Sequence, residues 1–137
     1  MPGTRRVRAS DGAEIAVHEW SSDGHPMVFL AGLGHTGWNL RFLASHFLER
    51  YRCVGITRRG IGESCQDDVD YTLGRSTLDL IEICDALAME RPLWVAHSYG
   101  CQELARLIDV APEHVAGVVL IDGAYDHSGD AAFLRQF

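Results

Sequence analysis

In the stretch LWVAHSYGCQEL, residues 93–104, an apolar run stops at Ser98 and a helical pattern starts at once. A serine hydroxyl can act as a nucleophile when a tight strand-to-helix turn thrusts its Oγ out of the backbone, and such a turn needs small residues two before and two after. Ala96 and Gly100 meet that need, which makes Ser98 the candidate nucleophile. Acyl transfer also requires fixed N–H donors for the developing oxyanion, a base for the hydroxyl proton and a carboxylate to orient the base. His97 precedes the serine, but neighbours on a strand point to opposite faces, so its ring turns away from Oγ into the packing of the turn. His35 lies in the loop GLGHTG, where a polar side chain braces the loop or faces substrate. A plain turn needs small residues too, so the surrounding elements must decide.

RRVRA and EIAVHEW flank Ser10, Asp11 and Gly12 and alternate as a half-exposed antiparallel hairpin does. MVFLA is continuously apolar, the mark of a strand buried on both faces, and empties into GLGHTG. Leu40, Leu43, Phe47 and Leu48 recur at helical spacing through WNLRFLASHFLER, which predicts a helix, and YRCVGI predicts a strand ending at TRRGIGES. Leu80, Ile81, Cys84, Leu87 and Ala88 mark one face of a helix starting near Arg75, and Pro92 opens the strand LWVA. Behind Ser98, the residues Cys101, Leu104, Leu107 and Ile108 form the apolar face of the next helix, and VAGVVLI, residues 115–121, reads as a fully buried strand. From Met27 onward strand and helix alternate, the order of an α/β fold: an αβα sandwich with a mostly parallel sheet covered on both faces. Ligands bind beyond the carboxyl ends of such strands, so GLGHTG, TRRGIGES, HSYG and DGAYD should gather on one edge. Arg58, Arg59, Gly60 and Gly62 could be read as an anion cradle, but their spacing fits no phosphate-binding motif.

Four features in register, Ala31-Gly32-Leu33-Gly34, Thr57 to Ser64, Ala96-His97-Ser98-Tyr99-Gly100 and Val118 to Asp122, give the chain a resemblance to the N-terminal part of an α/β-hydrolase of the esterase, lipase and haloperoxidase-like kind. The resemblance implies Ser98 as the catalytic nucleophile and the backbone N–H groups of Leu33 and Tyr99 as the oxyanion hole. Two departures stand out: Ala31 replaces the family's histidine, whose side chain props the oxyanion loop, and Thr57 stands where many relatives carry aspartate. The family supplies its triad in the order serine, acid, histidine, with the histidine after the eighth strand. Phe137 follows shortly after the sixth strand, so residues 1–137 are expected to be the N-terminal part of the domain, with about six of the eight strands and without the cap that DHSGDAAFLRQF would begin. Asp122, at the end of the sixth strand, is the fallback for the acid, while His114 and His127 lie on no loop that the resemblance marks for the histidine.

The expected function is therefore a serine hydrolase acting on an ester or related acyl bond of a small-molecule substrate, with Leu33, Trp38 and Tyr99 hinting at an apolar pocket and with no metal or cofactor. The competing reading is a complete, non-catalytic binding or assembly module. A net charge of -7, from 19 acidic and 12 basic residues, would repel nucleic acid and anionic lipid. Four irregularly spaced cysteines without a C-x-x-C pair, and an N-terminus without a signal-peptide core, fit a cytoplasmic protein that does not enter the membrane. The apolar, proline-free run at residues 115–121 would become an exposed edge in the absence of a further strand, a route to a homodimer.

Overall fold

A computed structural model of the chain describes residues 3–67 and 69–123. The opening hairpin is present as β1 (Gly3–Arg8) and β2 (Glu14–Glu19), which pair antiparallel with Val7 opposite Ile15. Its turn is closed by the Ala9 N–H donating to Ala13 O at 2.8 Å, with Gly12 at φ +91. β3 (His25–Leu30), β4 (Tyr51–Thr57), β5 (Leu93–His97) and β6 (Gly117–Ile121) complete one six-stranded sheet in the order β1-β2-β4-β3-β5-β6. The β3–β4, β3–β5 and β5–β6 pairs are parallel, so the fold is the mostly parallel α/β sheet that the alternation predicts.

The inner strands are apolar on both faces because both faces are covered. Two helices, α2 (Leu73–Ala86) and α3 (Tyr99–Val110), pack on one face, where Val28, Val54, Leu80, Ile83, Leu104 and Leu107 form the larger core. Burying a leucine or isoleucine of this kind contributes about 1.5–3 kcal/mol relative to leaving it in water. On the other face Trp20, Phe29, Cys53 and Val95 pack against Leu43, Phe47 and Leu48.

Two stretches differ from the sequence reading. The helix predicted through residues 38–50 is a 3-10 turn (Gly37–Leu40) followed by a single-turn helix, α1 (Arg41–Ala44). Thr36 starts it, donating its backbone N–H to Asn39 Oδ1 at 2.9 Å, but from His46 the chain switches to the tighter i→i−3 pattern, as in Phe47 N–H to Ala44 O at 2.9 Å. The apolar spacing is still used, because a succession of tight turns also sets Leu43, Phe47 and Leu48 onto the sheet. The second difference is β6, whose Val118, Val119 and Leu120 are 43%, 55% and 44% exposed rather than buried. Among the described residues β6 pairs with β5 alone. The expected cap residues from Asp126 onward lie outside the described residues.

Candidate active site

Ser98 sits between the end of β5 and the first residue of α3, with φ 50 and ψ −119. That is the left-handed side of backbone space, which costs a non-glycine residue on the order of 1–3 kcal/mol and persists only where the surroundings enforce it. Here the enforcement is visible. The Ser98 N–H donates to Ile121 O at 3.0 Å across to β6, and the Cys101 N–H donates to Ser98 O at 2.9 Å as α3 begins. Three glycines wall the turn. A Cβ on Gly100 would lie 2.8 Å from Leu30 O, one on Gly32 would lie 3.3 Å from Ser98 Cβ, and one on Gly123 would lie 2.8 Å from Ser98 Cα. Gly100 was legible as a small-residue requirement; Gly123 was missed, its signal being only the Asp122-Gly123 pair after a strand.

The loops expected at the carboxyl ends of the strands do converge, as far as they are described. Gly32 brings the first loop against Ser98 and against the His97 ring, 3.1 Å from Nδ1 to a Cβ placed on that glycine. His97 thus packs under the loop, as expected, and His35 stacks on it with ring centroids 6.4 Å apart. Leu33 is the next residue and is 48% exposed. Tyr99 is the first residue of α3, where backbone N–H groups have no intrahelical acceptor and the helix end carries partial positive charge. Among the described residues no imidazole is hydrogen-bonded to Ser98 Oγ.

The loop after β4 is held by carboxylates and carbonyls rather than open to an anion. Arg58 donates from Nε to Glu103 Oε1 at 2.7 Å and from its two terminal nitrogens to Ala31 O at 3.0 Å and Gly32 O at 3.3 Å. Its guanidinium lies 4.9 Å from the centre of the Tyr99 ring. Burial works against this charge, but the Glu103 carboxylate outweighs it and leaves the guanidinium above its ordinary pKa. Burial also raises the Tyr99 phenol, and Glu103 adds to it. Arg59 is engaged by Asp79 at 2.7 Å and by Asp11 at 2.8 Å. Thr57, in place of an aspartate, accepts from the Gly37 N–H at 2.9 Å and bonds His18 Nε2 at 2.7 Å, tying the sheet to the 3-10 turn. Burial lowers the pKa of His18, which favours its neutral form.

Other candidates lie elsewhere. His114 is in the short turn before β6, at the opposite end of the sheet, where its carbonyl accepts from Trp94 Nε1 at 2.9 Å. Trp38 does not join the serine: it lies against His18, with ring centroids 4.8 Å apart, and lines a groove of about 850 Å³ with Trp20, Arg41 and Phe42. Asp122 follows β6 with φ 47 and is exposed, and His127 lies outside the described residues. The thiols of Cys53, Cys84 and Cys101 are free and buried, and burial pushes Cys84 up to about 12, so they are poor nucleophiles. Among the described residues no group of three His, Cys, Asp or Glu could hold a metal ion, and no helix is long and apolar enough to cross a membrane.

Comparison with known proteins identifies the family. A non-heme chloroperoxidase of Streptomyces lividans is 32% identical over 126 residues, which cover 84% of this chain and 43% of the relative. Epoxide hydrolase 1 of Caenorhabditis elegans is 27% identical over 72% of this chain and 25% of its own length. The crystal structure of a hydrolase from Pseudomonas aeruginosa PA01 superposes with a TM-score of 0.80 at 25% identity, covering 86% of this chain and 45% of that one. The chain thus spans less than half the length of these relatives. Residues 25–137 match the family described as alpha/beta hydrolase fold, and the chain belongs to that family.

Proposed function

We propose that the protein is a serine hydrolase in which Ser98 attacks an ester or related acyl bond and the backbone N–H groups of Leu33 and Tyr99 receive the oxyanion. The observation that carries this reading is the strained Ser98 turn, φ 50 and ψ −119, walled by Gly32, Gly100 and Gly123. No packing need explains a serine there, since glycine would adopt the same conformation without penalty. In the reaction a bond forms between Oγ and the carbonyl carbon, the hydroxyl proton passes to a base, and the carbonyl oxygen takes up negative charge. Collapse of that tetrahedral species expels the alcohol with the proton, and water then releases the acid from the acyl-serine. The base in this proposal is the histidine that the family places after its eighth strand, and Asp122 is the fallback for the acid that orients it. A serine at the turn sets the chain apart from family members that use an aspartate nucleophile, and no metal or cofactor enters the chemistry. Phosphonylation by a fluorophosphonate probe tests the reading: Oγ forms the bond to phosphorus while fluoride and the proton leave. The adduct is expected on Ser98 and is expected to be lost in Ser98→Ala.

A further inference from the structure

We propose that Arg58 is the positioning residue of the oxyanion loop, fixing through the Ala31 and Gly32 carbonyls the peptide whose N–H belongs to Leu33. The proposal rests on the reading of Leu33 as an oxyanion donor. A trans peptide is planar, with its C=O and N–H pointing in opposite directions, so whatever fixes the Gly32 oxygen also aims the Leu33 N–H. Arg58 does this from 3.3 Å, and holds the preceding carbonyl, that of Ala31, from 3.0 Å. A cation at the oxygen end of the peptide also polarises it and strengthens the donor at the other end.

The other tie on the Gly32 oxygen is the His35 N–H, which donates to it at 3.2 Å and closes the turn of the loop, while the Ala31 oxygen is held by Arg58. Ala31 offers no polar side chain, Gly32 has no side chain, and Gly34 sits at φ +76. A segment so built has much conformational freedom to lose. Arg58 in turn is oriented by Glu103, whose side chain is 2% exposed and which lies one helical turn beyond Tyr99 on α3. With the guanidinium over the Tyr99 ring, one side chain thereby links both oxyanion residues to the nucleophile helix. A buried ion pair is a weak device for stability, because apolar residues of similar size serve as well or better. Its place between the two donors is what a positioning role requires.

The test uses Arg58→Met and Arg58→Lys, with hydrogen exchange read on the 137-residue chain and phosphonylation read on a protein that also carries the proposed histidine base. Two quantities are read: the saturating rate of Ser98 phosphonylation by a fluorophosphonate, and hydrogen exchange by NMR of the His35 amide, which donates to the Gly32 oxygen that Arg58 holds. In folded Arg58→Met the rate is expected to fall at least about tenfold, with the half-saturating probe concentration unchanged within about twofold, and His35 exchange is expected to quicken about tenfold. Arg58→Lys, which keeps the charge but cannot span both carbonyls and the carboxylate, should fall between the two. A folded Arg58→Met with the parent rate and parent exchange overturns the proposal. If that variant does not fold, parent values in Arg58→Lys overturn it. If the parent protein carrying the proposed base is not labelled at all, the nucleophile reading fails, and the clamp is decided by His35 exchange alone: faster exchange in the variants supports it, unchanged exchange overturns it.

Discussion

At Ser98 the backbone holds a conformation that a serine avoids, and its neighbours are the Ile121 oxygen, which accepts the Ser98 N–H, the Cys101 N–H, which donates to the Ser98 oxygen, and the closely packed Gly32 and Gly123. The strain of the turn and the proposed nucleophile can be separated by mutation. Ser98→Gly removes the hydroxyl and the steric penalty together, while glycine's extra freedom in the unfolded chain offsets part of the gain. The variant is expected to be unreactive toward fluorophosphonate and more stable by about 1 kcal/mol, seen as a higher urea midpoint. A lower midpoint would show that the turn is not strained.

Between elements, the ion pairs around Arg59 join the β1–β2 turn, the loop after β4 and α2. Asp11 comes from the hairpin turn, Asp79 from α2, and Arg75 of α2 reaches Asp79 at 2.9 Å and Glu82 at 2.8 Å. The hydrogen bond from Arg59 lowers the Asp11 carboxyl from its ordinary 3.8 to about 2. A carboxyl depressed on folding contributes its stability above the unfolded value and loses it as pH falls through the folded one. Unfolding free energy is therefore expected to decline between pH 4 and pH 2 by less in Asp11→Asn than in the parent; equal slopes in urea titrations would contradict the pairing. These elements were legible to different degrees. Strands such as MVFLA and LWVA could be read because burial on both faces writes a continuous apolar run. The helix at residues 38–50 was over-read, since Leu40, Leu43 and Phe47 keep their spacing whether the chain winds in α or 3-10 turns. The tight turn at Ser98 was legible from local sterics, but the contacts of Glu103 and Gly123 were not: the partner of Arg58 is 45 residues away, and the contact of Gly123 with Ser98 exists only once β5 and β6 pair.

Across the whole molecule, the face carrying α2 and α3 is well covered, whereas β6 presents Val118, Val119 and Leu120 to solvent along an edge without charge or proline. Such an edge is a template for another strand. The isolated 137-residue chain is expected to self-associate through it, and Val119→Lys, which sets a charge mid-edge, is expected to scatter light as a smaller species; a monodisperse monomer for the parent chain would contradict this. The sheet's other consequence is to bring the described parts of the loops after β3, β4 and β6 to the edge where the Ser98 turn sits. The most direct measurement of that central claim is the site of fluorophosphonate attachment, mapped by mass spectrometry. The account predicts a single adduct on Ser98 that disappears in Ser98→Ala. An adduct distributed over other serines, or one retained in Ser98→Ala, would contradict it.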